Sequence, residues 1–230
     1  MPTQFVIFDF DGTLFDTHQA IIHSIKTTFD TLLPDSPPSE SELKKLIGGG
    51  KGLHDVLTAL HPTPDSFDEG EWTATYRRIY NDEGQKLVSP FPGAKGLLES
   101  LHARGIPMAI VSNKGVSALQ TALANHSLAH IIPESSIIGD NTPGATRKPD
   151  PGSYTNVLLP ALQARGFPAG LEILVVGDTE ADLLFAKNIG AKSVWCRFGY
   201  GNREKCEELG PDFKIDGLGE MERIVDGLYG

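Results

Sequence analysis

The chain has 230 residues, enough for one large domain or for a main domain that carries a smaller one. It is 40% hydrophobic and 22% charged, which is typical of a globular protein. Its 30 acidic and 20 basic side chains give a formal net charge of -10, which argues against nucleic acids and anionic membranes as partners because both require a basic face.

The first predicted strand is the apolar run at residues 5–8, and a purely helical stretch follows it. Helical patterns cover residues 19–32, 40–47, 52–60 and 69–86, and Ser39 can cap the second of these with Glu42 as its capping-box partner. We interpret residues 16–87, called the insert below, as an all-helical domain. It interrupts a main domain formed by residues 1–15 and 88–230.

The remaining elements alternate between strand and helix. Apolar runs at residues 107–111, 137–138, 173–176 and 193–196 predict strands, and helical patterns cover 94–104, 116–124, 153–164 and 181–189. Most of the apolar runs are continuous, as in strands that are buried on both faces of a parallel sheet. The sequence therefore predicts an α/β fold, a doubly wound parallel sheet with an inserted helical domain.

Polar side chains follow several of these predicted strands. Asp9 and Asp11 are two residues apart, so both can face the same site as the first strand ends. Ligands of open α/β sheets bind beyond the carboxyl ends of the strands. The residues found at the other strand ends are Ser112, Asn113, Lys148, Asp178 and Asp182. We expect these side chains to converge.

Such a cluster of carboxylates requires a cation, because like charges at close range otherwise take up protons. Mg²⁺ suits the set, since it prefers oxygen ligands and keeps water and substrate phosphate in its coordination shell. These groups favour phosphoryl transfer, in which charge neutralisation and positioning account for most of the catalysis. An aspartate can serve as the nucleophile and a second carboxylate as the acid and base.

Four segments resemble the motifs of the haloacid dehalogenase superfamily in their order and spacing: "DFDGTLFD", "VSNK", "RKPDP" and "VGDTEADLLFAKNIGA". The segments "SPFPGAKGLLESLHARGIPMAIVSNK" and "YGN…PDFKID" resemble its phosphoglycolate phosphatase-like branch. The insert then corresponds to the small α-helical cap of that branch, although the resemblance is weakest there. The match covers nearly the whole chain and is specific for superfamily and chemistry, but not for substrate.

The resemblance implies a role for each acidic residue of the motifs. Asp9 would be the nucleophile and a metal ligand, and Asp11 would be the general acid and base, with its backbone carbonyl on Mg²⁺. Asp178 would complete the metal site. Asp182 would be a further acidic anchor, directly or through water. The alternative for Asp182 is a first-turn helix aspartate that the helix dipole favours.

The resemblance also implies a phosphate-binding set. Ser112 and Asn113 would bind the transferring phosphoryl group, and Lys148 would balance charge on the nucleophile and on the phosphoryl oxygens. The alternative for Ser112 and Asn113 is a helix cap. In the insert, the glycine-rich segment that contains Gly49, Gly50 and Lys51 is interpreted either as a loop that reaches the substrate or as a flexible helix connector.

The leading hypothesis is a Mg²⁺-dependent phosphatase acting on a small phosphorylated metabolite such as phosphoglycolate, a sugar phosphate or a nucleotide. The alternatives are a phosphomutase of the β-phosphoglucomutase type and a non-catalytic phospho-ligand-binding protein on the same scaffold. A dehalogenase would need neither Mg²⁺ nor a leaving-group acid. A phosphonatase would be expected to use a lysine of the insert, with Lys51 as the candidate, and Asp11 argues against it.

Localisation and assembly are less constrained. No basic segment followed by an apolar one opens the sequence, and no apolar run approaches the roughly 20 residues of a membrane span. Cys196 and Cys206 lack metal-ligand spacing and are interpreted as free thiols. We expect a cytoplasmic protein, either monomer or homodimer. Residues 158–172 form an unusually long connection to which the sequence assigns no role.

Overall fold

The computed structural model describes residues 4–168 and 170–227. The strands are β1 Gln4–Phe8, β2 Phe15–Asp16, β3 Ser89–Pro90, β4 Met108–Val111, β5 Ile137–Ile138, β6 Glu172–Gly177, β7 Lys192–Cys196 and β8 Phe213–Ile215. The helices are α1 His18–Leu32, α2 Glu40–Ile47, α3 Leu53–Leu60, α4 Glu69–Asp82, α5 Ala94–Ala103, α6 Val116–Asn125, α7 Leu159–Ala164, α8 Glu180–Asn188, α9 Arg203–Glu208 and α10 Met221–Gly227.

Six of the strands form one sheet in the order β5-β4-β1-β6-β7-β8. Every neighbouring pair in it is parallel, and Phe8 of β1 lies opposite Ile110 on one side and Val176 on the other. The carboxyl ends of the strands therefore lie at one edge of the sheet, with β1 near its centre. The predicted α/β class and the five predicted strands are confirmed.

The two faces of the sheet pack into separate apolar clusters. Val6 and Phe8 of β1 belong to a cluster that includes the leucines of α5 and α6. Phe5 and Ile7 point to the opposite face and belong to a cluster with residues of α7 and α8. Helices thus cover both faces, which explains why the β1 sequence is continuously apolar.

The insert contains α1 to α4, and the short antiparallel pair of β2 and β3 joins it to the sheet domain. The predicted cap of α2 is present: Glu42 N donates to Ser39 Oγ at 3.3 Å, and Ser39 N donates to Glu42 Oε2 at 3.2 Å. The predicted helix over 69–86 was too long, because α4 ends at Asp82 and a 3₁₀ turn follows at Gly84–Leu87. There the backbone of Gly84 packs so closely on Ser24 that a Cβ would lie 2.7 Å from its hydroxyl oxygen.

Other elements had no counterpart in the sequence prediction. These are β2, β3, β8, α9 and α10. The helix predicted over 153–164 begins as a π-helical turn at Ser153–Leu158 that leads directly into α7. Within the long connection at residues 158–172, Leu158 and Leu162 are fully buried in the cluster that contains Phe5, so this segment covers one face of the sheet. Among the described helices, none is both long enough and apolar enough to cross a membrane.

Candidate active site

Three neighbouring strands end in polar residues at the carboxyl edge of the sheet. Asp9 follows β1, Ser112 follows β4 and Asp178 follows β6. Asp9 N donates to Val176 O at 2.8 Å, and Ser112 N donates to Ile138 O at 3.0 Å, so the ladder hydrogen bonds continue to the first residue beyond each strand. The backbone of the sheet thereby fixes where these side chains begin.

A buried ion-pair network joins Lys148 to two aspartates. Its Nζ donates to Asp9 Oδ1 at 2.6 Å and to Asp182 Oδ1 at 2.5 Å. The side chains of Lys148, Asp9 and Asp182 are only 4%, 9% and 1% exposed. Burial disfavours the ammonium charge, but the Asp182 and Asp9 carboxylates outweigh it and raise the pKa of Lys148.

Asp182 also lies in the first turn of α8, as its alternative interpretation predicts. Its Oδ2 accepts hydrogen bonds from Thr179 N at 2.9 Å and from Thr179 Oγ1 at 2.7 Å. One carboxylate oxygen therefore satisfies the start of the helix while the other binds Lys148. This double use orients Asp182 firmly.

Asp178 is fully buried and held from several sides. Its carboxylate accepts from Thr13 Oγ1 at 3.2 Å and from Tyr200 N at 2.6 Å, and Trp195 Nε1 donates to its backbone carbonyl at 3.2 Å. Gly12 has φ of 79°, and a Cβ on it would overlap the Asp178 carboxylate. The glycine after Asp11 is thus required both by its backbone conformation and by close approach.

Asp9, Asp178 and Asp182 form a candidate metal site, because one carboxylate oxygen from each lies within 4.8 Å of the others. Burial raises the pKa of Asp9 to about 7, against the effect of Lys148 and with a contribution from Asp182. Burial, Asp182 and Asp9 also raise the pKa of Asp178 well above its ordinary value. The three carboxylates thus lack enough positive charge nearby, and a divalent cation fits this deficit.

Asp11 lies apart from that cluster and pairs with Lys114, which the sequence reasoning did not single out. Lys114 Nζ donates to Asp11 Oδ1 at 3.0 Å and lies 3.3 Å from Oδ2. The same ammonium sits 4.2 Å from the centre of the Tyr80 ring of α4. Lys114 therefore orients the carboxylate of Asp11 and links it to the insert through Tyr80.

Ser112 and Asn113 do not cap the following helix. The N-cap of α6 is Gly115, and Val116 N donates instead to Asn141 Oδ1 at 2.9 Å. Ser112 is buried and lines the same cavity as Asp9 and Lys148.

The Asn113 side chain joins two loops. Its Nδ2 donates to Gly50 O at 2.9 Å and to Lys148 O at 3.2 Å, and its Oδ1 accepts from Lys148 N at 2.8 Å. Asn113 therefore positions the Lys148 loop and binds the insert.

A cavity of about 210 Å³ opens between the carboxyl edge of the sheet and the insert. Asp9, Asp11, Ser112, Asn113, Lys148 and Asp182 all line it. Asp178 lies beneath this layer, fully buried. From the glycine-rich segment, Gly50 and the exposed Lys51 reach the cavity, whereas Gly49 is exposed and is not among the described lining residues.

Comparisons with known proteins agree with this geometry. A family model described as haloacid dehalogenase-like hydrolase matches residues 6–196. The chain is 29% identical over 229 residues to a phosphoglycolate phosphatase of Vibrio cholerae, covering 96% of each chain. It is 28% identical to a pyrophosphatase of Halalkalibacterium halodurans, covering 98% of each. A haloacid dehalogenase-like hydrolase structure from Streptococcus pneumoniae superposes with a TM-score of 0.79 at 25% identity, covering 96% of this chain and 98% of that one.

Proposed function

The chain belongs to the haloacid dehalogenase-like hydrolase family, and from that premise we propose that it is a Mg²⁺-dependent phosphatase. It hydrolyses a small phosphate monoester through an aspartyl phosphate on Asp9. The observation that carries the proposal is the buried contact of Lys148 with both Asp9 and Asp182 beside Asp178. The phosphatase names of its relatives support the same reaction class.

Asp9, Asp178 and Asp182 are the residues that would hold the ion, with the backbone carbonyl of Asp11 as a further ligand. Three buried carboxylates around one ammonium group leave a net negative charge that a dication neutralises. Bound Mg²⁺ supplies charge neutralisation for these carboxylates and for the phosphate oxygens of the substrate.

In the first half of the proposed reaction, a carboxylate oxygen of Asp9 attacks the phosphorus atom. The bond from phosphorus to the ester oxygen breaks, and Asp11 donates a proton to the departing alkoxide. Lys148 lies on Asp9 Oδ1 and balances the charge that collects on the oxygens of the phosphoryl group. Ser112 donates its hydroxyl to one of those oxygens.

The second half returns the enzyme to its starting state. Asp11, now a carboxylate, takes a proton from a water molecule as that water attacks the phosphorus atom of the aspartyl phosphate. The bond from phosphorus to Asp9 breaks, and inorganic phosphate leaves. Lys114 holds both Asp11 oxygens and so fixes the group that moves the proton in both halves.

The insert, residues 16–87, is assigned as the cap domain over a core of residues 1–15 and 88–230. Its helices close the cavity opposite Asp9, and the Gly50 carbonyl receives a hydrogen bond from Asn113 of the core. A closed cap limits the access of bulk water to the site and contacts the leaving group. Lys51 of the glycine-rich segment lies at the cavity on the insert side.

Phosphate release from a generic aryl phosphate, with and without Mg²⁺, tests the proposal. The Asp9→Asn protein should stay folded and lose turnover, whereas the same change at the exposed Asp30 of α1 should leave activity unchanged. Acid-quenched wild-type enzyme should carry one phosphoryl group by intact mass, and the Asp9→Asn protein should not. Substantial turnover by the Asp9→Asn protein would refute the assignment of Asp9 as the nucleophile. Isomerisation of a sugar phosphate without release of phosphate would favour the alternative function, a phosphomutase.

A further inference from the structure

The cavity has one apolar wall. Helices α1, α2 and α3 contribute aliphatic side chains to it: Ile21, Ile25, Ile47, Leu53 and Val56. Ile25 and Val56 are anchored in the main apolar cluster, whereas Ile47 is half-buried at the end of α2. Asp9, Ser112 and Lys148 line the same cavity, so a phosphate ester bound there would place its leaving group within reach of this wall.

Two of the four cationic side chains described along the cavity are held by carboxylates. Lys148 pairs with Asp9 and Asp182, and Lys114 pairs with Asp11. Arg77 of α4 lies 3.8 Å from the buried carboxylate of Asp140, but its own side chain is 53% exposed. A second anionic group on the substrate would therefore have to meet the exposed side chains of Lys51 or Arg77, or displace an ion pair of Lys114 or Lys148.

We propose that the preferred substrate is the phosphate monoester of an alcohol with an uncharged, apolar body, which packs against the wall formed by α1, α2 and α3. This inference rests on the proposed phosphatase function and names the substrate class for that same site. It differs from what the names of the relatives say, since the leaving groups of phosphoglycolate and pyrophosphate are small and anionic.

A homologous series of alkyl phosphates measures the contribution of the wall. Ethyl, propyl and butyl phosphate share a primary alkoxide leaving group of similar chemistry, so differences in kcat/KM report on contacts with the alkyl chain. Burial of each added methylene should raise kcat/KM about fourfold, or roughly fifteenfold from ethyl to butyl phosphate. Phosphoglycolate, assayed beside ethyl phosphate, supplies a leaving group of similar size that carries a carboxylate.

Matched variants locate the effect. The Ile47→Thr protein should show a smaller butyl-to-ethyl ratio, because it exchanges apolar cavity surface for a hydroxyl. The Ile22→Thr protein should keep the wild-type ratio, because Ile22 is also half-buried in an insert helix and is not among the described cavity-lining residues. Circular dichroism of both variants checks that they are folded.

The outcomes separate this inference from the function it rests on. Phosphate release with a flat or falling dependence on chain length, or a preference for phosphoglycolate over butyl phosphate, would overturn the apolar substrate class and leave the phosphatase proposal intact. An unchanged ratio in Ile47→Thr would also overturn the assignment of the wall. Failure of Mg²⁺-loaded enzyme to release phosphate from any ester, the aryl phosphate included, would overturn the proposed function and this inference with it.

Discussion

Replacing Lys148 with methionine should destabilise the metal-free protein strongly. Methionine has nearly the same length and no charge, so the substitution leaves the Asp9 and Asp182 carboxylates buried without the ammonium group that lies 2.6 and 2.5 Å from them. Removing one partner from a buried ion pair costs about 3–5 kcal/mol in the free energy of unfolding, because the remaining charge is left uncompensated. Asp178 adds a third carboxylate to the same cluster.

Lys205→Met provides the matched control. Lys205 pairs with Glu180 at 3.5 Å, but its side chain is 67% exposed, and such surface pairs contribute only about 0–1 kcal/mol. The two changes are chemically identical and differ in burial. We therefore expect a difference of roughly 2–5 kcal/mol between the two variants.

Urea unfolding in EDTA at neutral pH measures both values. Trp195 lies in β7 and Trp72 in α4, so intrinsic fluorescence follows the sheet and the insert together. A stability loss in Lys148→Met no larger than that of the control would refute the reasoning. It would mean that the carboxylates do not depend on this lysine for compensation.

Two further predictions concern the Asp178 side of the site. Gly12→Ala should cost roughly 1–3 kcal/mol more in urea unfolding than Gly105→Ala. Both positions have positive φ, but a Cβ at Gly12 meets the Asp178 carboxylate, whereas a Cβ at Gly105 has no described residue within 4 Å. Equal losses would show that Asp178 does not restrict position 12. Mg²⁺ at a hundred times its dissociation constant should stabilise the wild-type protein by about 2.7 kcal/mol. In thermal unfolding, Asp178→Asn should remove most of that stabilisation, and an undiminished effect in the variant would place the ion elsewhere.

The strand ends were predictable for a geometric reason. Apolar runs separated by helical segments imply a parallel sheet, and a parallel sheet brings all its carboxyl ends to one edge. Asp9 and Ser112 come directly after such a run and Asp178 comes one residue later, so their convergence follows from topology alone. The structure also places Lys148 and Asp182 within this group.

Contacts that depend on side-chain packing could not be predicted in this way. The pair of Lys114 and Asp11 joins residues 103 positions apart, and the lysine is also placed by the Tyr80 ring of a helix in the insert. The position of Lys114 directly after Ser112 and Asn113 was the only sign in the sequence that it lies near the site. That position does not identify Asp11 as the carboxylate with which Lys114 pairs. Strand β8 was missed because a three-residue run at the sheet edge, with Lys214 between two apolar residues, is too short for a periodicity.

The Asn113 side chain limits which residues this position accepts. Its amide nitrogen donates to two backbone carbonyls, Gly50 O and Lys148 O, and its oxygen accepts from Lys148 N. Aspartate offers acceptors alone, and leucine of similar shape would leave three backbone groups without these partners. Only a carboxamide on a side chain this short meets all three demands. The residue that ties the insert to the sheet domain is therefore selected by hydrogen-bond polarity, because both atoms of its amide already bind backbone groups.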